Sequence, residues 1–331
     1  MRAPLKVLIT VDTEAWPRGE AAPGGPDAFR RHIERDIYGR TPSGDFGVGY
    51  QIDVLNAHGL KGVYFVESMF PDAVGVEPLR DLVTLIQAKG QEVQLHLHTE
   101  WLKWLRDSVV ALAGRTGQNM KDFSEDEQAA LLARGLDNLR RAGATGVCAF
   151  RAGNYGADFA TLRALARNEV TFDTSYNACY VGAACGIRLD PPLVQTKIVE
   201  GVYEVPISFF QDYPGHRRHA QLCAASFGEL RQAISKAWEA GWDTFVIVSH
   251  SFELLRRNRD RIPETPDPIV IKRYEKLCEF LGRNKDRFET AGFSDLEPAS
   301  LVRSAAAPEI RTSVVSTALR VGAQLIRRAR R

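Results

Sequence analysis

The stretch Gln94-Leu95-His96-Leu97-His98-Thr99-Glu100 alternates polar and apolar residues along most of its length, and on an extended strand residues two apart share a face. Val93, Leu95 and Leu97 then point one way, and Gln94, His96, His98 and Glu100 the other. Burying such polar groups unpartnered costs roughly 2–7 kcal/mol each, so something polar must satisfy them. A divalent metal does this economically, because neutral imidazole and carboxylate are the usual zinc ligands. A solvent-facing strand edge that carries two histidines is the plainer alternative.

Outward from this run, strand-like and helix-like segments alternate through residues 5–294. Strands are predicted at Lys6–Val11, Gly62–Val66, Glu92–His98, Val147–Arg151, Val170–Asp173, Gly201–Pro206 and Thr244–His250. Helices are predicted at Phe46–His58, Leu79–Lys89, Ser124–Ala142, Asp158–Arg167, Phe227–Ala240 and Val270–Leu281. Ser124 followed three residues later by Glu127 is a capping-box pattern, and Pro17–Pro26 reads as a loop. This alternation predicts parallel βα repeats. Polar residues recur where strands end: Asp12 and Glu14, His96 and His98, Arg151, Glu204, His250. In a βα barrel those ends form the active-site face.

A chain of 331 residues accommodates one large α/β domain or two ordinary ones, and 44% apolar with 25% charged residues is ordinary for a soluble protein. Six arginines and no acid lie in residues 311–331, so the rest is mildly acidic. That argues against a nucleic-acid partner, which needs a basic face on the main domain. The five cysteines, at 148, 179, 185, 223 and 278, form no CxxC pair and read as reduced thiols of a cytoplasmic protein. The apolar stretch Val7–Val11 is too short for a signal-peptide core, and no apolar run approaches the ~18 residues of a membrane span.

Residues 295–310 read as a linker, so the expected division is 1–300 for the main domain and 301–331 for linker and tail. In the tail, Val315, Ala318, Leu319, Gly322, Ile326 and Ala329 share a helical face, with Arg320, Arg327, Arg328 and Arg331 opposite. Such a basic amphipathic helix can lie peripherally on anionic lipid at the inner face of the membrane; a solvated or partner-docked tail is the alternative.

The strand-end motifs, in order, resemble the polysaccharide deacetylases, the NodB-homology domain of carbohydrate esterase family 4. Thr10-Val11-Asp12-Thr13-Glu14 is similar to the first motif, commonly Thr-Phe-Asp-Asp. Gly49–Phe65 resembles the following helix and strand, and Lys89–His96 the approach to the histidine motif. Phe150-Arg151-Ala152-Gly153-Asn154-Tyr155-Gly156 resembles Arg-Pro-Pro-Tyr-Gly, and Phe245–His250 the last strand with its terminal histidine. His250-Ser251-Phe252-Glu253 is similar to a WbmS-like subgroup associated with surface-polysaccharide clusters. The resemblance implies a distorted, incomplete TIM-like (β/α) barrel of about seven strands. It also implies a metal-dependent hydrolase that removes an acetyl group from an N-acetylated sugar or glycan precursor.

Carried over, the resemblance makes Asp12 the general base, Arg151 its partner, the backbone N–H of Tyr155 an oxyanion donor and His250 the acid for the leaving amine. It departs from the family at Thr13, where a second aspartate is usual, and at Glu100, where the second histidine is usual. One extra residue precedes Tyr155. Glu14, His96 and His98 are thus the expected ligands of a divalent ion, zinc first, with Glu100 an alternative. A metal-independent amidase on the same fold, or a catalytically silent glycan-binding or assembly protein, are the other readings. Trp16, Trp101 and Trp104 either stack on a sugar or pack, and Glu204 and Asp173 either line the pocket or cap a turn. His32, His58, His216 and His219 have no strand-end context and read as surface or loop residues. Asp212-Tyr213-Pro214-Gly215 reads as a turn, and residues 17–45, 102–123 and 174–200 as substrate-shaping loops.

Overall fold

Side-chain alternation along the first strand, β1 (Leu5–Thr13), divides the molecule into an inside and an outside. Val7, Ile9 and Val11 pack outward against helices, whereas Leu8 joins an inner apolar cluster. The computed structural model describes residues 2–16, 26–105, 111–112, 114–257, 263–301 and 307–329. The main sheet continues with β2 (Gly62–Glu67), β3 (Glu92–Leu97), β4 (Ala149–Ala152), β5 (Phe172–Asp173), β6 (Lys197–Val199), β7 (Val202–Glu204), β8 (Thr244–His250) and β9 (Phe288–Thr290). Their order is β8-β1-β2-β3-β4-β5-β7-β6, with β9 sharing an edge of β1. Every pairing but β6–β7 is parallel, as the βα alternation requires.

The sheet curls towards closure. At the outer edge of β8 the Val246 N–H donates to Ser208 Oγ (2.9 Å) and the Val248 N–H to the Ala220 carbonyl (2.9 Å). Leu8, Val63, Phe65, Phe172, Val246 and Phe293 fill the interior below the site. This is the expected incomplete, TIM-like α/β barrel: a packed core beneath, polar groups at the strand C-terminal ends.

Helices α1 (Pro26–Asp36), α2 (Val48–Ala57), α3 (Glu77–Ala88), α4 (Glu125–Arg141), α5 (Phe159–Arg167), α6 (Phe227–Glu239), α7 (Pro268–Arg283) and α8 (Val314–Ala329) accompany the barrel. The Ser124 capping box forms as read: Ser124 N–H donates to Glu127 Oε2 (2.8 Å) and Glu127 N–H to Ser124 Oγ (3.4 Å). Asp212–Gly215 turns an antiparallel hairpin of residues 209–213 and 216–219, with Gly215 at φ 80°.

Three stretches differ from their sequence reading. The substrate-shaping loop 17–45 contains α1, seated through buried Phe29 and Ile33; residues 17–25, most of the predicted Pro17–Pro26 loop, lie outside the described residues. Within the stretch read as a linker, Leu296 and Leu301 join the inner cluster and Ile310 is buried. The Ile310 carbonyl accepts the Gln211 N–H (2.9 Å), so these residues lie against the barrel. Arg320, placed on the exposed cationic face of the tail, is instead buried between Glu229 Oε1 (3.0 Å) and Asp212 Oδ2 (3.0 Å). Two carboxylates in one place outweigh the helix's own periodicity.

Candidate active site

Strand register brings the polar ends together. Asp12 on β1 pairs with His250 on β8, and His96 on β3 with Arg151 on β4. Asp12, His96 and His250, with Glu14, His98 and Tyr155, line a cavity of about 450 Å³, to which Asn154, Tyr180 and Gln221 also contribute; Arg151 lies behind it.

Asp12 has two differently engaged oxygens. Oδ1 accepts Arg151 Nη1 (2.6 Å), while Oδ2 faces His250 Nε2 across 3.9 Å. Arg151 is fully buried. It also donates to Thr10 Oγ1 (2.9 Å) and, through Nε, to the Thr174 carbonyl (3.3 Å), and it lies over the Phe65 ring. Removing either member of such a buried pair leaves an uncompensated charge.

Glu14, His96 and His98 are all buried, and one ligand atom from each lies within 4.8 Å of the others. Glu14 Oε2 stands 2.6 Å from His98 Nε2 and 3.6 Å from His96 Nε2. These separations bracket the roughly 3.3 Å between ligand atoms of a tetrahedral zinc with bonds near 2.0–2.1 Å. His96 Nδ1 lies 2.8 Å from the Arg151 carbonyl. A carbonyl only accepts, so Nδ1 carries the hydrogen and the Nε2 lone pair faces the cavity. That Nε2 is buried without a hydrogen-bond partner, which is the environment a metal completes. The residues therefore fit a divalent ion.

His98 is held differently. Its Nδ1 meets Glu100 Oε2 (3.2 Å), and its backbone N–H donates to buried Glu67 Oε2 (2.8 Å). Glu100, the alternative ligand of the sequence reading, stands behind this ring and also accepts the Asn154 amide (2.9 Å). Burial opposes charge on both members of the Glu14–His98 pair, yet their mutual attraction prevails. Glu14 is held well below the usual carboxylate range by the His98 charge, and His98, also drawn by Glu100, well above the usual imidazole range. The His98 ring covers Gly153 so closely that a Cβ there would sit 2.5 Å from ring atoms, so only glycine fits.

His250 has a partner that sequence reasoning missed. Nδ1 lies 2.9 Å from Glu253 Oε1. Burial pulls the imidazole down, but the Glu253 hydrogen bond and charge, with Asp12 and Glu14 beyond, lift it to about 9. Gln221, also unforeseen, donates to the same Glu253 oxygen. The His-Ser-Phe-Glu quartet was visible, but a turn after β8 is needed to bring residue 253 back to 250. Asn154 and Tyr155 both adopt left-handed backbone, φ 57° and 58°, a strained conformation that clusters at functional sites. Burial first, and then the Asp12 charge, push the Tyr155 phenol well above its ordinary value.

Several candidates lie elsewhere. Trp101 is fully buried against Phe29 and Phe70, so it packs and cannot meet a sugar. Trp16 is half-buried, stacks on Trp101 and sets its edge against His98 at 4.7 Å between centroids. Trp104 is buried over the same cluster. Glu204 and Asp173 pair across β5–β7 beneath the site, both fully buried; they line no part of the cavity. Burial lifts both carboxyls, most of all Glu204, which Asp173's charge raises further. His219, expected in a surface or loop role, is buried beside Gln221 (2.6 Å), because its hairpin folds against the cavity wall.

The sequence matches no family model and no curated protein. Among solved structures, the chain is similar to a Mycobacterium smegmatis protein assigned as a polysaccharide deacetylase: 16% identity, 94% of this chain and 96% of that one, TM-score 0.50. It is also similar to a Streptomyces lividans family 4 carbohydrate esterase in complex with acetate (11% identity, 93% and 98%, TM-score 0.45). A 4-alpha-glucanotransferase from Thermococcus litoralis aligns with 88% of this chain and 40% of its own (9% identity, TM-score 0.50). The likenesses at TM-score 0.50 give the fold, and folds host unrelated chemistries; the site must supply the function.

Proposed function

We propose that this chain, whose fold is that of the polysaccharide deacetylases, is a metal-dependent hydrolase that removes an acetyl group from an N-acetylated sugar or glycan precursor. One observation carries the reading: an arginine-held aspartate, a Glu-His-His cluster and a glutamate-backed histidine converge on a single cavity. When bound by Glu14, His96 and His98, a divalent ion (zinc suits this donor set) supplies a polarised carbonyl and a more acidic water.

The remaining work belongs to the chain. Asp12 Oδ2, not engaged by Arg151, is the base that takes the water's proton, and the Arg151 contact to Oδ1 holds the carboxylate in orientation. His250, protonated through most of the neutral range, delivers a proton to the departing amine. The backbone turn at Asn154–Tyr155 lines the same cavity, so the Tyr155 N–H is the donor for the developing carbonyl charge, where a donor is worth most. Trp16, partly exposed, stands with its edge against the His98 ring.

Metal content and acetate release, measured on wild type and His96→Ala with N-acetylated sugars, test the proposal. Stoichiometric divalent metal, chelator-sensitive turnover and loss of both in the variant are expected. Turnover that resists chelation would replace it with a metal-independent amidase. Sugar binding without turnover, unaffected by Asp12→Asn, would make the chain a glycan-binding protein.

A further inference from the structure

Helix α8 is turned inside out. A surface helix ordinarily buries its apolar stripe and shows its charges to water. Here Ser316, Thr317 and Arg320 face the barrel: Ser316 Oγ accepts the Gln232 amide (2.7 Å), Thr317 Oγ1 donates to the Asp212 carbonyl (2.9 Å), and Arg320 is held by Asp212 and Glu229. Val314, Val315 and Val321 face outward at 61%, 69% and 43% exposure, with exposed Ala318 between them. The helix is fixed by its polar side and offers its apolar side.

What covers that face is decided by charge. Residues 311–331 contain six arginines and no acid, and the carboxylates that hold Arg320 belong to the barrel. A second copy seated on the valines would set two such tails, each with six arginines and no acid, against one another. Nucleic acid would meet valines where it needs cations. Apolar residues bordered by arginines match the headgroup boundary of an anionic bilayer, which takes up the apolar face and attracts the cations. Lys236 on neighbouring α6, which donates to the Arg311 carbonyl (2.7 Å), adds positive charge beside the tail. The register also gives a direction. Ser316 lies opposite Gln232 and Arg320 opposite Glu229, so α8 runs antiparallel to α6, towards the barrel end where the cavity opens.

We infer that α8 docks this protein peripherally on anionic lipid, through the outward face of Val314, Val315, Ala318 and Val321 and the arginines that follow. The inference is independent of the reaction. Co-sedimentation of the full chain with vesicles tests it, using phosphatidylcholine alone against phosphatidylcholine with phosphatidylglycerol. Binding only to the anionic vesicles is expected, weakening about fivefold for each arginine replaced in Arg327→Gln and Arg328→Gln. The double variant Val315→Glu/Val321→Glu should lose binding at least tenfold while keeping its circular dichroism and melting temperature, since both side chains are exposed. Three results would overturn the inference: no anionic binding, equal binding by the double glutamate variant, or a wild-type dimer that this variant dissociates. The last would assign the face to a second copy.

Discussion

Replacing Glu253 by glutamine isolates the group that sets the protonation of His250. Glutamine keeps an oxygen for Nδ1–H but removes the charge. The lift from about 6.5 to about 9 corresponds to roughly 3 kcal/mol of preference for the imidazolium. Without the carboxylate, burial still pulls the imidazole down and only Asp12 and Glu14 oppose it, so it settles near or below its ordinary ~6.5. The sign follows directly. A proton donor raised to about 9 is charged below that pH and discharged above it, so kcat should fall as pH rises through about 9 in the wild type. In Glu253→Gln the same fall should come near pH 6.5.

The loss is therefore pH-dependent. At pH 8 a group at 9 is about 90% protonated and one at 6.5 about 3%, a roughly 30-fold loss in kcat; at pH 6 the two differ by less than about twofold. Acetate release followed as kcat against pH, at saturating metal, measures this. An alkaline limb left near pH 9 in the variant would refute the assignment of Glu253 to His250. An equal loss at pH 6 and pH 8 would make Glu253 merely structural.

Other consequences are measurable. Because His98 is held well above its ordinary value by Glu14 and Glu100, metal binding at pH 7 should expel about one proton from it. Calorimetry in buffers of different ionisation enthalpy would show this, and a buffer-independent heat would contradict it. Arg151→Met should destabilise the fold by about 3–5 kcal/mol in urea titrations, because it removes one member of the buried Asp12–Arg151 pair; an unchanged urea midpoint would contradict this. Trp101→Ala should cost about 3–5 kcal/mol of stability through the cavity it leaves, with KM for an acetylated sugar unchanged; a KM effect without destabilisation would restore Trp101 to the substrate.

Period-two alternation is a local property, and what depended on it was legible. The inward set Asp12, Glu14, His96 and His98, the parallel βα order and the Ser124 cap follow from residues that are neighbours in the chain. Contacts closed over long loops were not legible. Glu253 reaches His250 only through the turn after β8, and Trp101 looks like its neighbour Trp16 until packing separates a core ring from a rim ring. Arg320 fits a solvent-facing pattern until the tertiary fold sets Asp212 and Glu229, about a hundred residues away in sequence, against it. The α1 segment was obscured by the Gly/Pro-rich stretch before it. In each case a non-local partner overrode a correct local tendency.

The same alternation explains the displaced ligand set. The resembling motifs carry a carboxylate directly after the first aspartate and a second histidine four residues after the first; here those positions hold Thr13 and Glu100. On β1, residue 13 shares the outward face of Val11, and the buried Thr13 hydroxyl donates to the Val11 carbonyl (3.1 Å). Residue 14 returns to the face of Asp12. On β3, His98 keeps the face of His96, with ring centroids 4.9 Å apart. Residue 100 has entered the helical turn Thr99–Trp104 and supports His98 from behind. Positions 14, 96 and 98 are thus the ones that strand geometry turns towards one point. Glu14→Ala should abolish stoichiometric zinc binding, and adding Thr13→Asp to that variant should not restore it, because the new carboxylate would face the helices. Restoration would show that the end of β1 rotates freely, and the geometric account of the Glu14-His96-His98 set would then fail.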